Sequence, residues 1–365
     1  MIGLLAFLAA QTAAVPTAPA PKPAWPTQER DVTLKTFRFH SGESLPEIRM
    51  HVTTLGTPHR NAAAQIDNAV MVLHGTGGTG QQFLRPQFAD ELYGPGQPLD
   101  IRKYWIILPD NIGHGKSSKP SDRMRMKFPK YDYDDMVEAQ RRMLTEGLGV
   151  SHLRLIMGTS MGCMHGFVWA ETHPDFASAL MPMACEPVEI AGLNRMWRQL
   201  AMDAIKSDPA FGQGKSAGEY DLEPVEGLRT AASLLFIAGG APLYLQSTYP
   251  TRDKAEAFVR ESIANSMANL DANDLIYQLD SSRNYNPWPG LERIKAPMTW
   301  INSADDFINP RNLPFPEQAL KRMPTVRFRM IAETPETRGH GSHTWAKFWK
   351  ADLIDLLARS EPKPR

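Results

Sequence analysis

Three residues far apart in the chain, Ser160, Asp306 and His340, have the types and the order needed for nucleophilic acyl chemistry. A serine hydroxyl attacks a carbonyl only when a base takes its proton, and the usual base is a histidine oriented by a carboxylate. Ser160 lies in Gly158-Thr159-Ser160-Met161-Gly162, which fits G-x-S-x-G, a sharp strand-to-helix turn that leaves the serine oxygen exposed. Glycines two positions either side let the chain bend and let the helix approach the strand. Two acids compete in the loop Asn302-Ser303-Ala304-Asp305-Asp306-Phe307-Ile308-Asn309-Pro310, and two bases in Thr337-Arg338-Gly339-His340-Gly341-Ser342-His343. Either choice keeps the order serine, acid, histidine. An oxyanion needs two backbone N–H donors. Met161, at the helix start, supplies one, and the Gly-rich His74-Gly75-Thr76 loop supplies the other, at Thr76. That loop lacks the Gly-Lys-Ser/Thr ending of a phosphate cradle. His340 and His343 have metal-ligand spacing, but only the Asp pair would complete the set. The reading requires neither metal nor cofactor.

These side chains need loops at the C-terminal ends of parallel strands. Residues 153–157 are apolar except for Arg154 and short enough for the strand before the serine, and 161–171 read as the helix after it. Residues 32–39 and 47–55 read as an opening hairpin, and 69–73 and 104–108 as buried strands. A helix is expected over 131–148, and further strands over 177–183, 297–301 and 325–331, with a last helix over 344–358. Between 186 and 291 strand signals thin out and helices are expected at 194–206, 227–237, 251–268 and 271–280. The expected architecture is α/β: a mostly parallel central sheet with helices on both faces and an inserted helical lid. Its divisions are a core over 31–185, the lid over 186–291 and the rest of the core over 292–365.

Lys plus Arg and Asp plus Glu number 40 each, so no net charge argues for nucleic acid or an anionic membrane surface. The 365 residues are 42% hydrophobic and 22% charged, enough for a sizeable core. Residues 2–10 form an apolar run too short to span a bilayer, followed by small residues with cleavage expected after Ala14 or Ala20. No Lys or Arg precedes that run. Residues 1–20 are read as a signal peptide and 21–30 as a Pro-rich linker, giving a secreted or periplasmic protein, with a cytoplasmic one as the alternative. No stable membrane insertion is expected. Cys163 reads as a buried residue one turn into the elbow helix; an exported chain would allow a Cys163–Cys185 disulfide.

Across about residues 31–358 the sequence resembles the α/β-hydrolase superfamily, and within it the homoserine O-acetyltransferase family. The narrower likeness rests on the elbow with Trp169-Ala170 after it, His173-Pro174-Asp175, Arg198-Gln199-Leu200-Ala201, Ser207-Asp208-Pro209, Gly218-Glu219-Tyr220, Glu226-Gly227-Leu228 and Asp271-Ala272-Asn273-Asp274. The resemblance favours Asp306, four residues before Pro310, as the acid and His340, behind Gly339, as the base. It also implies that Arg198 lies near an amino-acid carboxylate, and that an acyl group passes from acetyl-CoA to the serine and on to a homoserine hydroxyl. There are departures. The family usually has Asp directly after the histidine, where this chain has Gly341, and the His74-Gly75-Thr76 loop is more usual of hydrolases. Export would also separate the enzyme from cytosolic acetyl-CoA. The sequence therefore favours a serine acyl hydrolase, esterase- or thioesterase-like, on a small-molecule ester or acyl substrate, with an O-acyltransferase of the homoserine type as the alternative.

Overall fold

The computed structural model describes residues 25–212 and 223–361. The leader read at 1–20, the first part of the linker and Gly218-Glu219-Tyr220 lie outside the described residues. The chain opens with β1 (Gln28–Arg38) and β2 (Ser44–Leu55), paired antiparallel from Gln28↔Thr54 to Arg38↔Ser44. β1 thus begins inside the stretch read as linker. Its polar start, Gln-Glu-Arg, is exposed, and ladder pairing decides its conformation rather than burial.

The sheet continues with β3 (Ala69–Leu73), then α1 (Pro86–Leu92), β4 (Trp105–Pro109) and α2 (Tyr133–Arg142). α2 runs into a π-helical turn, Met143–Leu148, which stops at Gly149 in the left-handed conformation, φ 70°. β5 (Leu155–Thr159), α3 (Met161–Thr172) and β6 (Leu180–Met183) follow. The chain then leaves the sheet, and among the described residues it forms α4 (Gly192–Ser207), α5 (Val225–Ala238), α6 (Pro242–Thr248), α7 (Arg252–Met267) and α8 (Ala272–Asp280). It returns with β7 (Met298–Ser303), α9 (Phe315–Leu320), β8 (Val326–Ile331) and α10 (Lys350–Arg359).

The eight strands lie in the order β1-β2-β4-β3-β5-β6-β7-β8. β2 meets β4 antiparallel, and every pairing from β4 to β8 is parallel. Every residue of β3, β4 and β5 is buried, as continuous apolar strands in a sheet covered on both faces should be. One face packs under α2 and α3 through Met136, Met161, Phe167 and Trp169; the other packs under α1 and α10 through Phe88, Leu92, Leu353 and Leu356. The helices between β6 and β7 build a smaller core of their own from Met202, Ile205, Leu228, Leu275 and Leu279. Among the described residues no single helix is long and apolar enough to cross a membrane.

α3 approaches the sheet so closely that a Cβ on Gly162 would lie 2.2 Å from the Leu73 carbonyl oxygen. Backbone cannot yield as a flexible side chain does, so Gly162→Ala is expected to destabilise the protein by roughly 2 kcal/mol or more. Urea unfolding measures this; an unchanged midpoint would mean that α3 moves away from β3 without cost.

Candidate active site

β5 carries Ser160 to the C-terminal edge of the sheet and α3 leaves from it at once. The serine is forced to φ 54° and ψ −111°, strained for any residue with a Cβ. The neighbours enforce this. A Cβ on Gly158 would lie 1.9 Å from the Gly162 carbonyl oxygen, so only glycine fits there. Ser160 N donates to Met183 O at 2.8 Å, which pins the turn to β6. A disulfide joins Cys163, in the first turn of α3, to Cys185 just past β6.

Ser160 Oγ donates to His340 Nε2 at 2.8 Å, and His340 Nδ1 donates to Asp306 Oδ2 at 2.8 Å. Asp306 is buried, and its oxygens also accept from Ile308 N at 2.8 Å and Asn309 Nδ2 at 2.9 Å. Burial pushes its carboxyl up, but the charge and hydrogen bonds of His340 and its other donors hold it below the usual carboxylate value. Asp305 faces elsewhere. It accepts from Thr337 Oγ1 at 2.7 Å, Gly339 N at 2.9 Å and Ser303 Oγ, and so ties the acid loop to the histidine loop. Gly339 itself takes φ 56°, and a Cβ there would lie 2.5 Å from Gly240 O in the link between α5 and α6. The ring of His343 meets that of His340 edge-on at 5.2 Å. Burial pushes His343 down to about 3, and among the described residues no hydrogen bond joins it to Ser160 or to either acid.

The loop after β3 lies against the serine: a Cβ on Gly75 would sit 3.2 Å from Ser160 Cβ. The N–H of Met161 is the first of α3. Both segments thus adjoin Ser160. His74 braces this loop, donating through Nδ1 to Gly75 O at 2.8 Å and accepting from Asn111 N through Nε2 at 3.0 Å. Asn111 accepts from Gln140, which in turn accepts from Trp169 Nε1 at 2.7 Å. His74, His114 and His165 are all fully buried here, and desolvation lowers each of them, His165 to about 3.

A cavity of about 430 Å³ opens over Ser160 and His340 beneath the helices that follow β6. Thr76, Arg198 and Glu186 share its lining with apolar side chains such as Trp197 and Leu275. Arg198, on α4, is buried; its Nε donates to Asn194 Oδ1 at 3.0 Å and its Nη1 to Leu279 O at 3.4 Å. Among the described residues no carboxylate forms an ion pair with it. Glu186, Asn302 and Asn309 were not singled out in the sequence. The available signal was an acid or amide at or shortly past the C-terminal end of a strand, which composition and spacing do not separate from an ordinary turn. Potential metal ligands come within 4.8 Å of one another at His40, Asp132 and Asp134, none of which lines this cavity.

Residues 68–336 match the family model of the α/β-hydrolase fold. The chain belongs to that family. A homoserine O-acetyltransferase from Haloarcula marismortui is 27% identical over 312 residues, covering 73% of this chain and 73% of the relative. The crystal structure of homoserine O-acetyltransferase from Bacillus anthracis superposes with a TM-score of 0.77 at 19% identity, covering 91% of this chain and 97% of the other. An acetylester hydrolase from Corynebacterium glutamicum does so with a TM-score of 0.78 at 20% identity, covering 91% and 96%. This α/β-hydrolase resembles homoserine O-acetyltransferases and is an enzyme of acyl transfer or hydrolysis.

Two measurements test the geometry. Asp306→Asn and His340→Ala are expected to lower kcat by roughly 10³-fold or more on a p-nitrophenyl ester. His343→Gln and Asp305→Asn are expected to cost far less, with Asp305→Asn also lowering thermal stability. A larger loss at His343 than at His340 would refute the arrangement. Separately, His165 is neutral in the fold but takes up a proton near pH 6.5 when unfolded, so it makes the protein less stable as pH falls below that value. The stability difference between wild type and His165→Gln should therefore shift against wild type by roughly 1 kcal/mol between pH 7.5 and 5.5. A pH-independent difference would mean that His165 takes up its proton equally readily in the folded and unfolded chain.

Proposed function

We propose that the protein forms an acyl-enzyme on Ser160 and passes the acyl group to the hydroxyl of a carboxylate-bearing acceptor. In the first half-reaction Ser160 Oγ attacks the acyl carbon while His340 takes its proton. The tetrahedral oxyanion is met by the N–H groups of Met161 and Thr76. His340 then returns the proton to the leaving group, leaving an ester on Ser160. Asp306 keeps the imidazole in the tautomer whose Nε2 accepts. In the second half-reaction the acceptor hydroxyl takes the place of the first nucleophile, and the same groups act in reverse.

The observation that carries the choice of acceptor is Arg198, a buried guanidinium in the lining of the cavity that holds Ser160 and His340. A buried guanidinium without a carboxylate partner is costly, and an acceptor's carboxylate would supply one. The named relatives support this reading. Hydrolysis is the second reading, favoured by Gly341 in the place where the family usually has Asp. Loss of that acid weakens the hold on an amino-acid acceptor and leaves water a competitor. The Cys163–Cys185 disulfide supports a chain exported to an oxidising compartment, where water is abundant and acetyl-CoA is not.

Ser160→Ala should lose roughly 10⁴-fold in turnover on any acyl donor. With p-nitrophenyl acetate as donor, homoserine and other hydroxy acids should be acetylated, and Arg198→Leu should raise their KM about tenfold. That variant should leave p-nitrophenol release without acceptor nearly unchanged. Unchanged turnover in Ser160→Ala sinks both readings. Release of acetate alone, at a rate no hydroxy acid alters, decides for hydrolysis.

A further inference from the structure

Glu186 is a carboxyl group in the wall of the Ser160 cavity that the triad does not use. It follows β6 and the disulfide residue Cys185. Its main-chain oxygen accepts from Tyr285 Oη at 3.0 Å, so the backbone is held. One side-chain oxygen, Oε1, accepts from Asn302 Nδ2 at 2.8 Å; Asn302 Oδ1 in turn accepts from Cys185 N at 3.2 Å. The other oxygen, Oε2, is buried and has no partner among the described residues. The residue is only 8% exposed, and the charge of another acid, Asp306 in the loop after β7, acts on it.

Where two buried carboxyl groups repel one another, ionisation of one disfavours ionisation of the other, and the one with fewer donors takes the proton. Asp306 has a histidine, an amide side chain and a backbone N–H; Glu186 has one amide. Burial and the Asp306 charge accordingly push Glu186 up to about 8, against the smaller opposing effect of Asn302. Asn302 occupies Oε1, so the proton belongs on Oε2. A buried hydroxyl donor without an acceptor costs stability, and a substrate oxygen would satisfy it.

We propose that Glu186 is a specificity-determining residue which donates a hydrogen bond from its neutral carboxyl to an oxygen of the substrate, selecting esters that carry an ether, hydroxyl or carbonyl oxygen near the reacting group. The proposal rests on the acyl-enzyme reading and holds for transfer and hydrolysis alike. The other polar groups around it fit a neutral acid. Tyr285 is a donor to its backbone and Asn302 a donor to its Oε1; Arg198, His340 and the exposed Glu189 share the same cavity lining, and among the described residues none of them pairs with it.

The test compares isosteric esters that differ by one oxygen: p-nitrophenyl 3-methoxypropanoate against p-nitrophenyl pentanoate for the acyl side, and 2-methoxyethyl acetate against butyl acetate for the alcohol side. In at least one pair the ratio of kcat/KM, ether over hydrocarbon, should be about tenfold higher in wild type than in Glu186→Leu. Glu186→Gln keeps an N–H donor and should retain most of that ratio. In wild type the ratio should fall as pH rises through about 8, where the donor proton is lost, and in Glu186→Gln it should not. This last measurement needs no folded Leu variant. Equal ratios in wild type and Glu186→Leu for both pairs would overturn the proposal. So would a ratio that rises above pH 8, or one lost in Glu186→Gln, since either assigns the group a charged role. Failure of the acyl-enzyme reading would show separately, as p-nitrophenyl acetate turnover that survives Ser160→Ala.

Discussion

The site depends on one strained residue. Ser160 has a positive φ because β5 and α3 leave no room for a gentler turn, and the cost is offset by contacts that only this geometry allows. Gly158 stacks on the carbonyl of Gly162, Gly162 on that of Leu73, and the serine N–H reaches β6. Relaxing the serine would break the β6 bond and pull α3 from the sheet together. Strain is thus held by packing over three adjacent strands, not by any single contact. It aims Oγ out of the sheet's edge, at a point that loops from β3, β7 and β8 all reach.

The remaining groups are placed by polar ties between those loops. Asp305 holds the histidine loop to the acid loop, and Asn309 holds Asp306 to Ala184 beside the disulfide, donating to both. The chain thereby fixes the relative position of segments over 150 residues apart without a covalent link at the histidine. Its electrostatics follow from burial. The histidines behind the β3 loop are kept neutral, so they brace it as neutral donors and acceptors without adding positive charge next to His340. Burial, and after it the charge of Asp306, pushes the second acid near the triad, Glu186, up to about 8.

Much of this was legible in the sequence because two patterns carried it. Continuous apolar runs marked β3 and β4, and G-x-S-x-G with the order of the later loops marked where Ser160, Asp306 and His340 would meet. Choosing between Asp305 and Asp306, or His340 and His343, needed more than pattern. Adjacent residues in a turn point to opposite sides, and only the path of the backbone shows which side faces the serine. The short helices α1, α6 and α9 were not read for a different reason. Each begins with proline at its first or second position, and proline in a short polar stretch signals a turn as strongly as a helix start. The π-helical turn after α2 reads as ordinary helix because its period differs too little over six residues to register. Glu186 escaped because its meaning lies in a neighbour 120 residues away.

Under the proposed reading water and a hydroxyl acceptor compete for the same acyl-enzyme, and the cavity sets the terms. An acceptor displaces water only if its binding outweighs the high concentration of water, so it needs groups that hold it against the acyl carbon. Arg198 holds a carboxylate under the proposed reading, but at one point only, and one anchor fixes distance better than direction. Gly341 offers no side chain as a second anchor. A neutral Glu186 offers one of a different kind, suited to an oxygen and not to an ammonium. On this argument an acceptor or ester with a carboxylate and a further oxygen fits the cavity better than an amino acid. Under the proposed reading the triad forms the acyl-enzyme, while Arg198 and Glu186 together choose what reacts with it.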